Sequence, residues 1–335
     1  MSYNVNNEIT SNGEIVISYD GFNAYNYPYQ NITFSIDTTS PVNLATSLSE
    51  IISQKNTLTS LNDTISITSE GVATVVNVKN IPVQAENHAS EINQLVTASN
   101  RKVLTISKFI GITQANLCSC VNQLKTNKLK LAIVSLVKIK DNLGLIQKIL
   151  NNVLQVLNIA NNTTGGPNII NFKSELLGVV SQIKNIDNSS FIQSELVYRA
   201  IQTALSAGNF ASNKAGGLRK SFDQHTNSIK NLKDLVERAI TTTTKSEAIF
   251  GEILKITRSS DNISIAKTLQ RIEVARHVFM VIKKLMVLIL KIHNNAITFT
   301  SASITNAKAA DITHINFIAK LNYLLDALED LKQNF

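Results

Sequence analysis

The chain has no tryptophan, four prolines, two cysteines and little charge for its 335 residues: Asp, Glu, Lys and Arg make up 17% and aromatics 6%. Each shortage excludes something. Two cysteines, Cys118 and Cys120, separated by one residue, rule out a disulfide framework. On a helix they point to different sides, Cys120 inward and Cys118 outward, so they do not share a metal ion. Scarce aromatics remove the usual lining of large small-molecule pockets and argue against an enzyme. Glycine-rich phosphate loops, nucleophile elbows and paired Cys-x-x-Cys motifs are all missing. No catalytic residue, cofactor site or metal site is therefore assigned, and no small-molecule substrate is evident.

The first 20 residues are polar and acidic, without the cationic start and apolar core of a secretory signal. The expected location is the cytoplasm or a particle, with non-classical release as the other route. Asn-x-Ser/Thr triplets, at Asn31, Asn62, Asn188 and Asn262 among others, are what a chain rich in these residues produces by chance. Nor is there a bilayer-length apolar run. The most apolar stretch, 277–292, carries Lys283, Lys284 and Lys291, whereas a spanning helix takes about 20 apolar residues.

The sparse prolines say where helices are permitted. Pro28, Pro41, Pro82 and Pro167 leave 83–166 and 168–335 proline-free, and an interior proline costs a helix about 3 kcal/mol. Those tracts carry heptads. From 129 to 160 every a and d position is apolar: Leu129, Ala132, Leu136, Ile139, Leu143, Ile146, Leu150, Val153, Leu157 and Ala160. Leucine at a with Ile or Val at d disfavours a two-stranded coil. The apolar flanks Ile133, Ile149, Leu154 and Val156 fit four or more packed helices. Matching frames run through Val96, Val103, Ile110, Leu117 and Leu124, and through Phe222, Ile229, Leu232, Val236, Ala239, Phe250 and Ile253, the latter interrupted by His225, Thr243 and Ser246.

The spacing predicts about seven helices in 86–335: 88–125, 129–160, 171–186, 191–206, a long helix after the break at 208–217, 263–297 and 300–333. Breaks fall at 161–168, which holds Gly165, Gly166 and Pro167, at 187–190 with a Ser190–Gln193 capping box, and at 259–262. Short connections favour antiparallel neighbours. Residues 1–85 read as a small α+β cap with strands at 14–19, 31–36, 64–69 and 72–78 and a helix from Pro41 to about Gln54 capped by Ser40. Its aromatics, Tyr19, Phe22, Tyr25, Tyr27, Tyr29 and Phe34, suggest a local core or contact patch. The fold class expected is mainly α: an elongated multi-helix bundle of long antiparallel heptad-patterned helices over 86–335, with that cap at its N-terminus.

Charge divides the chain in the same place. Residues 1–90 hold eight acids and two bases, so a total of +8 leaves +14 for the rest. Within 277–292, Val278, Val281, Ile282, Leu285, Leu288, Ile289 and Ile292 are expected on one inward face, extended by Phe279, Met286 and Leu290, with Arg276, Lys283, Lys284 and Lys291 opposite. Lys125, Lys128 and Lys130, with Lys138 and Lys140, form a second basic cluster. Both are candidate contacts for a membrane or an anionic partner. Nucleic acid is the weaker partner, because no aromatic is interleaved for stacking and no binding module is present. Glu273 with His277, and Asp311 with His314, have the spacing of di-metal bundles but lack the further bridging carboxylates, so a surface ion pair is expected.

The function these features imply is a non-enzymatic structural or assembly protein, of a virion or another large complex, in which acidic caps meet basic helices of neighbouring copies. The alternative is a membrane-active protein working in the manner of the α-helical pore-forming toxins, with 277–292 and 129–160 as the candidate segments.

Overall fold

A computed structural model describes residues 4–9, 15–20, 32–36, 41–162, 168–187, 194–259 and 265–334. The chain is a multi-helix bundle. Three N-terminal strands, β1 (Asn4–Ile9), β2 (Ile15–Asp20) and β3 (Ile32–Ile36), form an antiparallel sheet in the order β1-β2-β3, with Asn7 opposite Ile17 and Ile17 opposite Phe34. Six helices follow among the described residues: α1 (Pro41–Asn77), α2 (Ile81–Lys125), α3 (Leu129–Asn162), α4 (Ile169–Asp187), α5 (Glu195–Ser259) and α6 (Ile265–Gln333). The expected Ser40 cap, the capping box at Ser190 and Gln193, and the aromatics Phe22, Tyr25, Tyr27 and Tyr29 lie outside the described residues, as do the side chains of Tyr19 and Phe34.

The strands expected at 64–69 and 72–78 are helical instead, and α1 runs on to Asn77 rather than ending near Gln54. β-branched composition suggested extended chain, but the buried positions there are Leu61, Thr64, Thr68, Gly71 and Val75, which recur with helical spacing. The threonines are accommodated by their own helix: Thr64 Oγ1 donates to the Ser60 carbonyl at 2.8 Å and Thr68 Oγ1 to that of Thr64 at 2.9 Å.

Two expected breaks are also absent, so the described residues of 86–335 form five helices where about seven were expected. α5 passes through Gly208, Gly216 and Gly217 without interruption. Gly208 is a packing device rather than a breaker. A Cβ there would lie 2.6 Å from Val180 Cγ2 and 2.8 Å from the Phe317 ring, so only glycine lets α4 and α6 approach this closely. Likewise α6 crosses 297–300 intact. Its buried positions Ala275, Phe279, Ile282, Met286, Ile289, His293, Ala296, Thr300, Ser303, Ala307, Ala310, His314, Phe317, Leu321, Leu324 and Leu328 keep a single heptad frame.

The chain divides into two compact units. Unit 1 comprises Met1–Ile81, Ile170–Gly216 and Ala309–Phe335. In it α4 and the start of α5 run antiparallel, with Asp187 bonded to Gln202 at one level and Val180 beside Gly208 at another. Its core includes Leu61, Val75, Phe172, Leu176, Ala204, Ala211 and Phe317.

Unit 2 comprises Pro82–Ile169 and Gly217–Lys308 and supplies the surfaces of interest. It is a four-helix, up-down-up-down arrangement. α2 and α3 form a hairpin whose turn is set by Asn127 in the left-handed region (φ 56°). The Lys128 amide donates to the Gln123 carbonyl at 2.7 Å and the Asn127 amide to that of Leu124 at 3.1 Å, a Schellman closure of α2. The antiparallel α2–α6 pair is marked by four contacts in descending order along α6: Lys308 with Glu86, Thr300 with Asn93, His293 with Ser99, and Lys283 with Gln114.

The heptad read from 129–160 is the wall of this core. Ala132, Leu136, Ile139, Leu143, Ile146, Leu150, Val153, Leu157 and Ala160 are all fully buried, and only Leu129 at the helix start is half-buried. Flanking Ile133, Ile149 and Leu154 pack against the same cluster, which α5 completes with Leu232, Val236 and Phe250 and α6 with Phe279, Ile282 and Ile289. A residue such as Leu143 contributes about 1.5–3 kcal/mol by being removed from water.

Candidate interaction surface and buried histidine layer

On α6 the seam is rotated from the expected face. Ala275, Phe279, Ile282, Leu285, Met286 and Ile289 point inward, while Val281, Val287 and Leu288 are exposed, Val287 by 62% and Leu288 by 47%. Val281 and Leu288 were expected inside. Residues 278–282 and 285–290 are apolar around most of the helix, so hydrophobicity there does not by itself fix the inward face, whereas the buried positions follow the one frame that continues through Thr300 and Ser303. Consequently the cations do not lie opposite the exposed apolar groups but among them. Met280, Lys283, Lys284, Val287 and Leu288 line one shallow depression, and Arg276 and Lys291 are exposed on the same helix. Arg276 lies 3.4 Å from Glu273, and Lys283 donates to Gln114 Oε1 at 3.2 Å.

The second basic cluster sits around the α2–α3 turn, where Lys125, Lys128 and Lys130 are exposed, as is Lys138, with Lys140 half-buried. Both clusters belong to unit 2.

The acid–histidine pairs do not form as such. The Glu273 carboxylate meets Arg276, while the exposed His277 ring bonds the Glu273 main-chain carbonyl at 2.8 Å. His314 is buried against the Phe172 ring, centroids 5.3 Å apart. Among the described residues no group of three or more His, Cys, Asp or Glu side chains is placed to hold a metal ion, and no helix is long and apolar enough to cross a membrane. Cys120 is buried, its thiol pushed up to about 11 by that burial, and Cys118 is exposed.

Sequence reasoning noted His225 as an interruption but missed the layer it belongs to. Three of the five histidines, His225, His293 and His314, are fully buried at seam positions. In unit 2, His293 Nε2 lies 2.6 Å from Ser99 Oγ and its Nδ1 3.0 Å from the Ile289 carbonyl. Nδ1 must carry the proton, since a carbonyl only accepts, and Nε2 accepts from Ser99. His225 Nδ1 lies 2.9 Å from Ser303 Oγ, whose own hydrogen goes to the Phe299 carbonyl at 3.0 Å. His225 is thus an Nδ1–H donor with Nε2 buried and unpartnered. Its ring packs on Phe222 at 4.6 Å, and His88 stacks on Phe222 at 6.0 Å. Asn93 adds bonds of 2.9 Å to Thr300 and Ser301. Burial, and for His225 also His88, pushes His225 and His293 down to about 4. His88 and His314 are lowered by burial too, opposed by Glu91 at His88 and by the Val75 main chain and Asp311 at His314. The signal was present in the sequence: one heptad frame continued from Phe279 to Leu328 places His293 and His314 at seam positions.

No family model matches the chain and no curated protein is similar to it. Among solved structures it is similar to the SmhB pore of the tripartite alpha-pore forming toxin Smh from Serratia marcescens. The identity is 12%, with 82% of this chain and 88% of that chain covered, at a TM-score of 0.21.

Proposed function

We propose that the chain is a non-enzymatic structural protein that assembles with copies of itself or with other subunits, its acidic N-terminal cap meeting basic helix faces of neighbours. One observation carries this reading. On α6, exposed Met280, Val287 and Leu288 are interspersed with Arg276, Lys283, Lys284 and Lys291, while 1–90 carries a net −6. An apolar patch rimmed by cations is the composition of a contact surface, and the acidic part of the chain supplies a matching charge. Inside unit 2 the heptads are already occupied by partner helices, which leaves outer faces for assembly. The test is size-exclusion chromatography with light scattering across protein concentration, at low and high salt. Oligomers that weaken with salt are expected; a strict monomer under all conditions overturns the reading.

A second reading is favoured by the same mixture of side chains: lateral attachment to an anionic membrane, with Met280, Val287 and Leu288 entering the interface and the lysines at the headgroups. Cosedimentation with anionic and with neutral vesicles separates the two. Binding that requires anionic lipid, from a chain that stays monomeric in solution, supports the membrane reading against assembly.

A further inference from the structure

The buried histidines of unit 2 concern its core and are independent of the assembly reading. Between the levels of Asn93 and Ser99 on α2, His225 and Ile229 on α5, and His293 and Ser303 on α6, the apolar filling thins to Ile92, Val96, Ala160, Ile229 and Ala296, with Phe222 against His225 and half-buried Leu95 and Ile297 at its edge. The rest of the layer is polar: Ser99, His225, His293, Thr300 and Ser303, all buried. Every hydrogen bond there is arranged for neutral imidazole. A proton arriving at His225 Nε2 finds no acceptor among the described side chains, and one arriving at His293 Nε2 forces the Ser99 hydroxyl to turn from donor to acceptor and give up its present bond.

The groups facing these rings offer no compensating charge. His225 meets His88 of α2 through Phe222, and Ser303 of α6; a second imidazole opposes its protonation. Glu91 acts on His88, the half-buried outer member. His293 meets Ser99 of α2 and its own Ile289 carbonyl, and among the described residues α3 and α5 bring uncharged Ala160, Ser228 and Ile229 to that layer.

We propose that this layer is an acid-sensitive latch: protonation of His225 and His293 opens the α2–α5–α6 seam at 88–100, 222–229 and 293–303 while the apolar core around α3 stays closed. Once the segment opens, both rings and the freed Ser99 and Asn93 reach water, which solvates the added charges. The sign follows from linkage. A ring held neutral in the closed state and free to protonate in the open one favours opening as pH falls below the ordinary histidine value, until the closed state also takes the proton.

The experiment is amide hydrogen exchange of the full chain at pH 7.5 and 5, corrected for intrinsic exchange, comparing those three segments with 136–157. Protection in the segments is expected to fall by about tenfold or more, with a smaller change at 136–157. The double variant His225→Gln, His293→Gln should lose most of that pH response. Equal protection at both pH values, or an undiminished response in the variant, overturns the latch. If the variant does not fold, NMR titration of the wild-type imidazole protons decides instead: five rings all titrating near the ordinary histidine value while the fold is intact overturn it, and two rings held neutral to pH 5 support it.

Discussion

Two levels of unit 2 are built on the same heptad spacing and the same pairs of neighbouring helices, yet they are filled differently. Around α3, Leu136, Leu143, Leu150, Phe250 and Ile282 close a core whose polar members, Ser135, Thr243 and Ser246, do not titrate; at the level of Ile92 and Ala296, aliphatic residues and alanines share the space with histidine, serine and threonine. Spacing therefore decides which helices meet, while side-chain chemistry decides how firmly and under what conditions they stay together. The α3 level derives its stability mainly from area removed from water, which pH does not alter. The polar level depends on protonation state.

The largest effect of substitution is expected in the core around α3: Leu143→Ala or Phe250→Ala should each cost about 3–4 kcal/mol in urea denaturation, equally at pH 7.5 and 5. Acidification should act at the other level. His225 and His293 held near 4 in the folded chain, against 6.5 unfolded, mean that only the unfolded chain gains protons as pH falls from 6.5 towards 4. Stability present above 6.5 is lost across that window, by about 2 kcal/mol per ring at pH 5, read as a shift in the urea midpoint. A smaller change, about 1–2 kcal/mol, should follow Ser99→Ala, which leaves His293 Nε2 buried without its donor. Replacing both partners, Ser99→Ala with His293→Leu, should recover that loss at pH 7.5 and reduce the acid response, because the apolar pair has no proton to gain. The smallest effect on folding belongs to the exposed face: Lys284→Glu with Lys291→Glu should change stability by less than about 0.5 kcal/mol. On the assembly reading, the same pair should abolish salt-sensitive oligomers in light scattering.

What could be read from the residues follows the same division. The seam of α3 was legible because leucine, isoleucine and valine at strict 3–4 spacing leave one helical face to bury, and nine of its ten positions are fully buried. The ends of α2 at Lys125 and of α3 at Leu129 were legible too, whereas the left-handed Asn127 that sets the turn between them had not been singled out. Elsewhere composition misled. In α1, Ile, Val and Thr suggested strands, although the threonine hydroxyls turn back to carbonyls four residues earlier and remain compatible with a helix. In α5, Gly216 and Gly217 suggested a break, but buried Ala211, Ala215, Leu218 and Phe222 keep helical spacing on both sides of the pair. On α6 the inward face was misread because a seam containing His293, Thr300, Ser303 and His314 does not look apolar. The proposed contact surface was singled out through its lysines, whereas exposed Val287 and Leu288 join it only because α6 turns another face inward.

The antiparallel α2–α6 pair carries a final consequence. Sliding one helix past the other by a heptad, about 10 Å, would still match apolar residues along much of the seam, since the pattern repeats. It would not match Ser99 to His293, Asn93 to Thr300 and Ser301, or Glu86 to Lys308. Such polar pairs work as an index, giving a repetitive chain one alignment among several that its hydrophobic pattern allows. The cost of burying a few imidazoles and hydroxyls is thus offset by uniqueness, and a variant stripped of them is expected to gain stability while losing a single defined alignment of its helices.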